Sequence, residues 1–575
     1  MRKSIFICCL ILLLNSVSFA QSQSISGTIR SARDSSVLPG VTVQEKNTKN
    51  IVQTNNEGYY TITVKAPSTL IFTAVGMVQQ EINASSSIID IYLRDAQITD
   101  LSEVIVTTAL GIKKQQKALG YAVQEVKGET LEKTRTPTAI GSLAGKVAGL
   151  NISNTTDLFR NPGIELRGKT PLIVIDGIPD PNADPYKINA DDIESITVLK
   201  GPAAGALYGQ IGINGAIMYT TKRGKKGVVS VDVNSSTMFQ GSYTVIPKVQ
   251  SLYGGGDAGK YAYVNGSGSG IEGGGWLWGP KLDQRDPSTP SGFVELPQYN
   301  SPYTPDQSYT VTYLNGDTHT GNYKPIPWIS RGKNNIRNFF QTGVLSTNSV
   351  AASAGNEKGS YRLSAGHIYQ KGVVPNTGVN NSSFSIGGNY DLSKKLTVDA
   401  KLTYNREYSD NYPTIGYGPP NILYNLILWI GTDVDIRDLK NYWVPGKEGL
   451  QQRNYNVSWY NNPYFVAHEL LNGYKKNNAF GQITFDYKFT PNLSLKFRNG
   501  FNQYSENSDI KEPYSYVNYS FISKGNYSVT NTSYFDITSD LILNYNRRFS
   551  SMFAVNASVG GANAYRNLKS ASSST

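Results

Sequence analysis

Proton transfer and metal binding fall first to histidine, cysteine and clustered carboxylates, and this chain uses all three sparingly. Its three histidines, His319, His367 and His468, are far apart and none forms an HxxE pair. Its two cysteines, Cys8 and Cys9, lie together near the start. A zinc site needs such ligands clustered, so neither metal nor thiol chemistry is expected. Asp180, Asp184, Asp191 and Asp192 are close enough in sequence to hold calcium, yet their spacing is unlike that of an EF-hand. A loop with ordinary turn carboxylates is the plainer reading. No nucleophile elbow, phosphate-binding loop or paired-carboxylate constellation can be placed, so no enzyme activity and no cofactor are expected. The one tight basic cluster, Lys222-Arg223-Gly224-Lys225-Lys226, reads as a solvated turn and not as a nucleic-acid contact. Three stretches could stack on sugar rings: Gly254-Gly255-Gly256, Gly273-Gly274-Gly275-Trp276-Leu277-Trp278 and Trp459-Tyr460. Loop packing or an interfacial aromatic girdle would use the same residues, and that is the plainer reading.

With so little catalytic material, the elements themselves must carry the function. The chain has 575 residues, enough for several domains. Charged residues make up 17%, below the roughly 25% usual in soluble domains, and tyrosines outnumber phenylalanines 38 to 19. After residue 20 no apolar run reaches the roughly 20 residues of a membrane-spanning helix. A transmembrane β-barrel has this composition, and so does an extracellular β-protein. Met1 to Ala20 reads as an export signal: Arg2 and Lys3, an apolar core from Ile5 to Leu14, then Ser18-Phe19-Ala20 as the small-x-small site. Cleavage is expected between Ala20 and Gln21, which makes Gln21 the first residue of the mature chain. Both cysteines leave with the signal. Net charge then falls by two, from +11 to +9.

Short β-like runs recur through 21–95: Ile25–Arg30, Val41–Glu45, Ile51–Thr54, Tyr59–Val64, Thr69–Ala74, Gln79–Asn83 and Ile88–Leu93. That spacing predicts a β-sandwich. A linker, 96–107, ends in Leu101-Ser102-Glu103-Val104-Ile105-Val106-Thr107, in isolation simply an extended β-branched segment. Residues 108–227 read as an α+β unit. Leu172-Ile173-Val174-Ile175 is a strand buried on both faces and ended by Asp176-Gly177. Ile193 to Leu199 is an alternating strand containing Ile196 and Val198. Gly201-Pro202 opens a short helix carrying Leu207, Tyr208 and Gly209. Asn214-Gly215 turns into a last strand, Ala216–Thr221. The expected core is drawn from Leu172 to Gly177, Ile193, Ile196, Val198, Leu207 to Gly209, Asn214 and Gly215.

From residue 228 the period becomes two, as in Val229/Val231/Val233, Phe384/Ile386/Tyr390, Leu396/Val398/Leu402 and Ile483/Phe485/Tyr487. Apolar-out, polar-in segments of about ten residues predict transmembrane β-strands. Short turns are expected at Asn356–Lys358, Ser393–Lys395, Pro491-Asn492 and Arg547-Arg548. Long connections are expected at 240–341, 407–478 and 504–532. The count is about nine antiparallel strands, too few and too odd to close, and the chain ends on a polar stretch, Ser570 to Thr575. The expected fold is therefore mostly β: a sandwich, an α+β unit, and the first part of an unclosed antiparallel barrel over 228–575.

The blocks Pro171-Leu172-Ile173-Val174-Ile175-Asp176-Gly177-Ile178-Pro179, Asp192-Ile193-Glu194-Ser195-Ile196-Thr197-Val198-Leu199-Lys200, Ala206-Leu207-Tyr208-Gly209 and Asn214-Gly215-Ala216-Ile217-Met218-Tyr219-Thr220-Thr221-Lys222 resemble, in order, the plug of SusC/RagA TonB-dependent outer-membrane receptors. Leu38-Pro39-Gly40 and Asn56-Glu57-Gly58-Tyr59-Tyr60 resemble the carboxypeptidase-regulatory-like module that precedes such plugs. The resemblance implies that Leu101–Thr107 is a TonB box. It also implies that the partners are TonB with ExbB and ExbD, a SusD-like lipoprotein and outer-membrane lipid. The implied cargo is an oligosaccharide or peptide. Family barrels have about 22 strands, so this chain is expected to be an N-terminal part of a longer or split receptor. Only Lys169 and Thr170 separate Arg167-Gly168 from Pro171, where the family has a longer loop, which weakens the case for substrate contact there. The competing reading is a non-transporting surface-binding or adhesion protein, or an inactive fragment.

Overall fold

The computed structural model describes residues 22–94, 105–107, 113–115, 123–133, 136, 138–153, 163–184, 186–241, 247–261, 276–312, 318–414, 416–456, 459–519, 521–550 and 553–575. The export signal and its expected cleavage site, Ala20 and Gln21, lie outside the described residues, as do Leu101, Ser102, Glu103 and Val104 of the linker motif. The chain divides into two compact units, with the boundary close to residue 105.

The first unit is a sandwich of a three-stranded and a four-stranded sheet. Its described part opens one residue after Gln21, with the strand Ser22–Ser31, which pairs with Tyr59–Lys65 and Ile91–Leu93. Thr42–Glu45 lies between Ile51–Gln53 and Thr69–Thr73, which in turn pairs with Gln80–Asn83. Alternation decides which side chains enter the core: Tyr60, Ile62 and Val64 are buried while Tyr59, Thr61 and Thr63 are exposed. They meet Ile25, Ile29, Val43, Leu70 and Phe72. The predicted runs match these strands to within a few residues.

In the second unit, five strands form a small mixed sheet. Its order is Val123–Lys127, Ile193–Leu199, Ala216–Thr221, Leu172–Ile175 and Ile178–Asp180. Only the pairing of Leu172–Ile175 with Ala216–Thr221 is parallel. Val174, Ile196, Val198 and Ile217 are fully buried. Helix Pro202–Tyr208 starts at Gly201, with Pro in its first turn, and is closed by Gly209 at φ +64°. Some core expectations need correction. Ile173 is half-buried, because one face of its strand is only partly covered. Leu207 and Tyr208 are half-buried too, packed against the core from its edge. Gly209 and Asn214, expected in the core, are exposed, since each serves a chain reversal where backbone conformation matters and burial does not.

Nine strands then form one antiparallel sheet, each paired to its sequence neighbour: Ser230–Gln240, Gly343–Gly355, Gly359–Lys371, Gly378–Asp391, Leu396–Asn411, Leu471–Thr490, Leu493–Asn518, Phe521–Arg548 and Ala554–Ser574. The first and ninth do not pair, so this wall is open. Phe384, Ile386, Leu402, Tyr404, Ile483 and Leu541 are exposed on one face, while Arg362, Asn381, Asn405, Asn502 and Asp540 are buried on the other. That is the apolar-out, polar-in pattern of an outer-membrane barrel. Two connections differ from expectation. Residues 504–532 form no long loop, because the seventh and eighth strands run for 26 and 28 residues with Tyr504 opposite Tyr534. Most side chains along 505–513 and 523–533 are polar, so no clear alternation reveals the pairing, and the main-chain ladder holds it. Arg547 and Arg548 end the eighth strand, paired with Val555 and Ala554 of the ninth, so they do not form the turn.

The connections 241–342 and 412–470 join strand ends opposite the short turns. They build a core of their own around Phe339, Leu426, Ile436 and Phe465. Helix Pro463–Glu469 is capped by the Asn462 side chain, with Pro in its first turn. No helix among the described residues is long and apolar enough to cross a membrane, which says nothing about crossing by strands.

Candidate functional site

The polar face of the wall meets the small sheet through a line of carboxylates. After the strand Ile178–Asp180 the chain runs past Asp184, Tyr186 and Lys187 to the one-turn helix Ala190–Asp192, capped by Asn189 accepting from the Asp191 N–H. Each acidic residue of this stretch finds a specific partner. Asp180 forms a fully buried ion pair with Lys187. The Lys187 Nζ also donates to Asn502 of the wall at 2.9 Å and lies 4.3 Å from the centre of the Phe480 ring. Burial drives the Lys187 ammonium below its usual value, opposed by Asp180. Asp184 accepts from Lys476 at 2.9 Å, and Asp191 from the Ser349 hydroxyl at 2.6 Å. Asp192 meets Arg362 at 3.2 Å and accepts from Ser364 at 2.8 Å. The Tyr186 carbonyl accepts from Asn381 and Asn405, at 2.7 and 3.3 Å.

Asp176 turns the chain between two strands with φ +47°. Its carboxylate accepts from the Thr221 N–H at 2.9 Å and the Thr221 hydroxyl at 2.7 Å, with Lys401 Nζ at 3.7 Å. Burial alone would raise this carboxyl, but Lys401, Arg223 and Thr221 together hold it below the usual carboxylate range.

The predicted calcium-or-turn carboxylates are thus docking residues. Among the described residues no group of three or more His, Cys, Asp or Glu could hold a metal. The basic cluster is solvated as expected, with Arg223, Lys225 and Lys226 exposed, but it is also tied down by ion pairs. Arg223 pairs with Asp399, Lys226 pairs with Asp391 at 2.5 Å, and Lys222 pairs with Glu132 at 2.5 Å. The partners stand 90 to 176 positions apart in the chain, so no local pattern could disclose them. Lys401, Lys476, Arg362 and Asn502 were missed for the same reason. Their sequence signal is only a charged or amide residue on the inward phase of a strand.

The seam is tight. The voids beside Asp176 and Lys187 and beside Asp192 and Arg223 hold about 30 and 20 Å³, the size of single waters. Gly500 leaves room for Ile178, since a Cβ there would lie 2.6 Å from the Ile178 Cδ1. Of the predicted linker motif, Ile105–Thr107 is a short strand laddered with Lys113–Gln115. The Trp-rich loops gather elsewhere: Trp276 lies 5.9 Å from Trp429, which stacks on Tyr460 at 4.9 Å.

The family model of the TonB-dependent receptor plug domain matches residues 115–216, and that of the CarboxypepD_reg-like domain matches 25–106. TonB-dependent receptor P39 of Formosa agariphila is 26% identical over 562 residues, 94% of this chain and 46% of the relative. TonB-dependent receptor SusC of Bacteroides thetaiotaomicron is 26% identical over 536 residues, 87% and 46% of the two chains. The RagAB peptide importer in its open-open state shares the fold with a TM-score of 0.57 at 17% identity, over 82% of this chain and 50% of that one. The chain therefore spans about half the length of the curated relatives it matches. A regulatory-like module ahead of a plug and SusC among the relatives make the chain similar to the SusC/RagA-type TonB-dependent receptors.

Proposed function

We propose that the whole protein is an outer-membrane import receptor worked by TonB. In this reading it takes up a large nutrient, an oligosaccharide or a peptide, together with a SusD-like lipoprotein. The observation that carries the reading is the plug docked on the inward face of a membrane wall through separable polar contacts. A seal with water-sized voids blocks passage, and contacts made of ion pairs and hydrogen bonds can be broken one by one when the plug is pulled. The outer membrane has no ATP, so the work must arrive mechanically from a partner. Leu101–Thr107 is the proposed handle: an extended segment can add a strand to a partner sheet through its main chain. In the same reading 1–20 is the export signal, cleaved between Ala20 and Gln21, 21–95 the sandwich, 96–107 the linker, 108–227 the plug and 228–575 the wall. The sandwich and handle are then periplasmic. The relatives are receptors and not enzymes, which favours transport over catalysis.

Deleting Glu103–Val106 in the full receptor tests this. Uptake should stop while surface binding of solute survives, and Val104→Pro should mimic the deletion while Val104→Thr should not, because proline removes a ladder donor. Unchanged uptake after the deletion overturns the proposal.

A further inference from the structure

We propose that the short-turn end of the wall is a recognition surface for acidic phospholipid, with a phosphatidylglycerol-type headgroup as its partner. This rests on the reading above that the wall stands in the outer membrane, with its short turns toward the periplasm. The exposed apolar stripe of the strands runs right down to these turns. Tyr390 and Leu392 stand beside Lys394 and Lys395, and Tyr487 and Phe489 flank Lys488. Phe549 and Phe553 adjoin Arg547 and Arg548 where the eighth strand passes to the ninth. All of these apolar side chains are exposed, from 38% at Tyr487 to 59% at Leu392 and Phe553. The cations beside them are exposed as well.

An aromatic belt by itself serves any lipid, because such side chains favour the headgroup level whatever its charge. The charge balance is what selects. Lys394, Lys395, Lys488, Arg547 and Arg548 form no ion pair among the described residues. The carboxylates nearest in these strands are already engaged, Asp391 by Lys226 at 2.5 Å and Asp486 by Lys496 at 3.8 Å. Arg547 lies instead over the Phe549 ring, 4.9 Å from its centre, and that ring lies 5.8 Å from Phe553. A guanidinium seated on a ring keeps its N–H edge for a phosphate, whose oxygens it can take two at a time. Successive short turns stand two strands apart, about 10 Å, so each offers its own cations beside its own apolar side chains. A phospholipid supplies phosphate and acyl chain together, matching both halves of this surface, whereas a soluble anion matches only one. A zwitterionic headgroup brings an ammonium that competes with these cations, so a net negative headgroup is favoured.

The full receptor, stripped of lipid in detergent, is titrated with dioleoylphosphatidylglycerol and separately with dioleoylphosphatidylethanolamine, and native mass spectrometry counts the lipids retained. Phosphatidylglycerol should be held about fivefold more tightly or better, and the margin should shrink as salt is added. Lys394→Gln, Lys395→Gln, Arg547→Gln and Arg548→Gln together should abolish the margin. These side chains are exposed, so folding should be preserved, and unchanged protease resistance checks it. Lys475→Gln with Lys511→Gln removes two exposed charges far from the short turns and should leave the margin in place. Inorganic phosphate at the same concentration should not displace the lipid. Equal retention of the two lipids, retention of neither, a margin that survives the combined variant, or one that the Lys475 and Lys511 changes abolish overturns the proposal. Displacement by inorganic phosphate shows simple anion binding and overturns the lipid assignment. Retention is measured without import, so uptake that continues after deletion of Glu103–Val106 counts against the transport reading alone.

Discussion

Replacing Asp192 by Ala should loosen the plug from its seat by a predictable amount. The Asp192–Arg362 pair has side chains only 13% and 9% exposed, and Ser364 donates to the same carboxylate. Removing one member of a buried pair costs about 3–5 kcal/mol, chiefly because the other charge is left without compensation. Arg362 keeps a second partner, Asp232 at 3.3 Å, but that carboxylate is 52% exposed and compensates weakly. The lower end of the range, about 3 kcal/mol, therefore applies. At 1.36 kcal/mol per decade, opening of the docked segment becomes roughly 150-fold more frequent. Hydrogen exchange of the 178–199 amides, followed by mass spectrometry in detergent, reads that opening directly. The double variant Asp192→Leu with Arg362→Met removes both charges and should recover most of the loss. The residual deficit is about 1 kcal/mol, from the Ser364 hydroxyl that loses its acceptor. Exchange within threefold of the parent for Asp192→Ala, or a double variant as loose as the single one, would refute the reasoning that this pair holds the plug.

Other outcomes follow from the same geometry. Gly500→Val should push Ile178 out of its seat and raise exchange in the same segment, by about 1–3 kcal/mol of overpacking; adding Ile178→Ala should restore it, and failure of that rescue would show the contact to be incidental. Burial raises the Asp433 carboxyl to about 6, against its bonds from Gly255 and its own N–H. The folded state then binds more protons than the unfolded state between about pH 4 and pH 6, so stability falls as pH rises through that window. Asp433→Asn should remove this slope from the melting of the long-connection core, followed by tryptophan fluorescence between pH 4.5 and 7.5, and an unchanged slope would count against it.

Much of the fold was legible because burial imposes a period. In Tyr59–Lys65 and Leu396–Asn411 alternate residues face apolar and polar surroundings, and the chain records the difference. Turn chemistry at Asn356–Lys358, Pro491-Asn492 and Gly201-Pro202 then set where strands and the helix end. Legibility failed where most side chains of a strand are polar, as along 505–513 and 523–533, and where backbone conformation, not burial, selected the residue, as at Gly209 and Asn214.

The sequence by itself determined the modules, their order, the number of wall strands and the scarcity of catalytic groups, since each follows from local pattern and composition. The tertiary structure alone decided what the charged residues do. Asp180, Asp184 and Asp192 read locally as turn carboxylates, and Lys222 to Lys226 as a solvated loop. Their partners in the wall, Asn502, Lys476, Arg362, Asp399 and Asp391, lie more than a hundred residues away. A charge carries no mark of its partner in a sequence, because Coulomb attraction depends on distance in space and has no period along the chain.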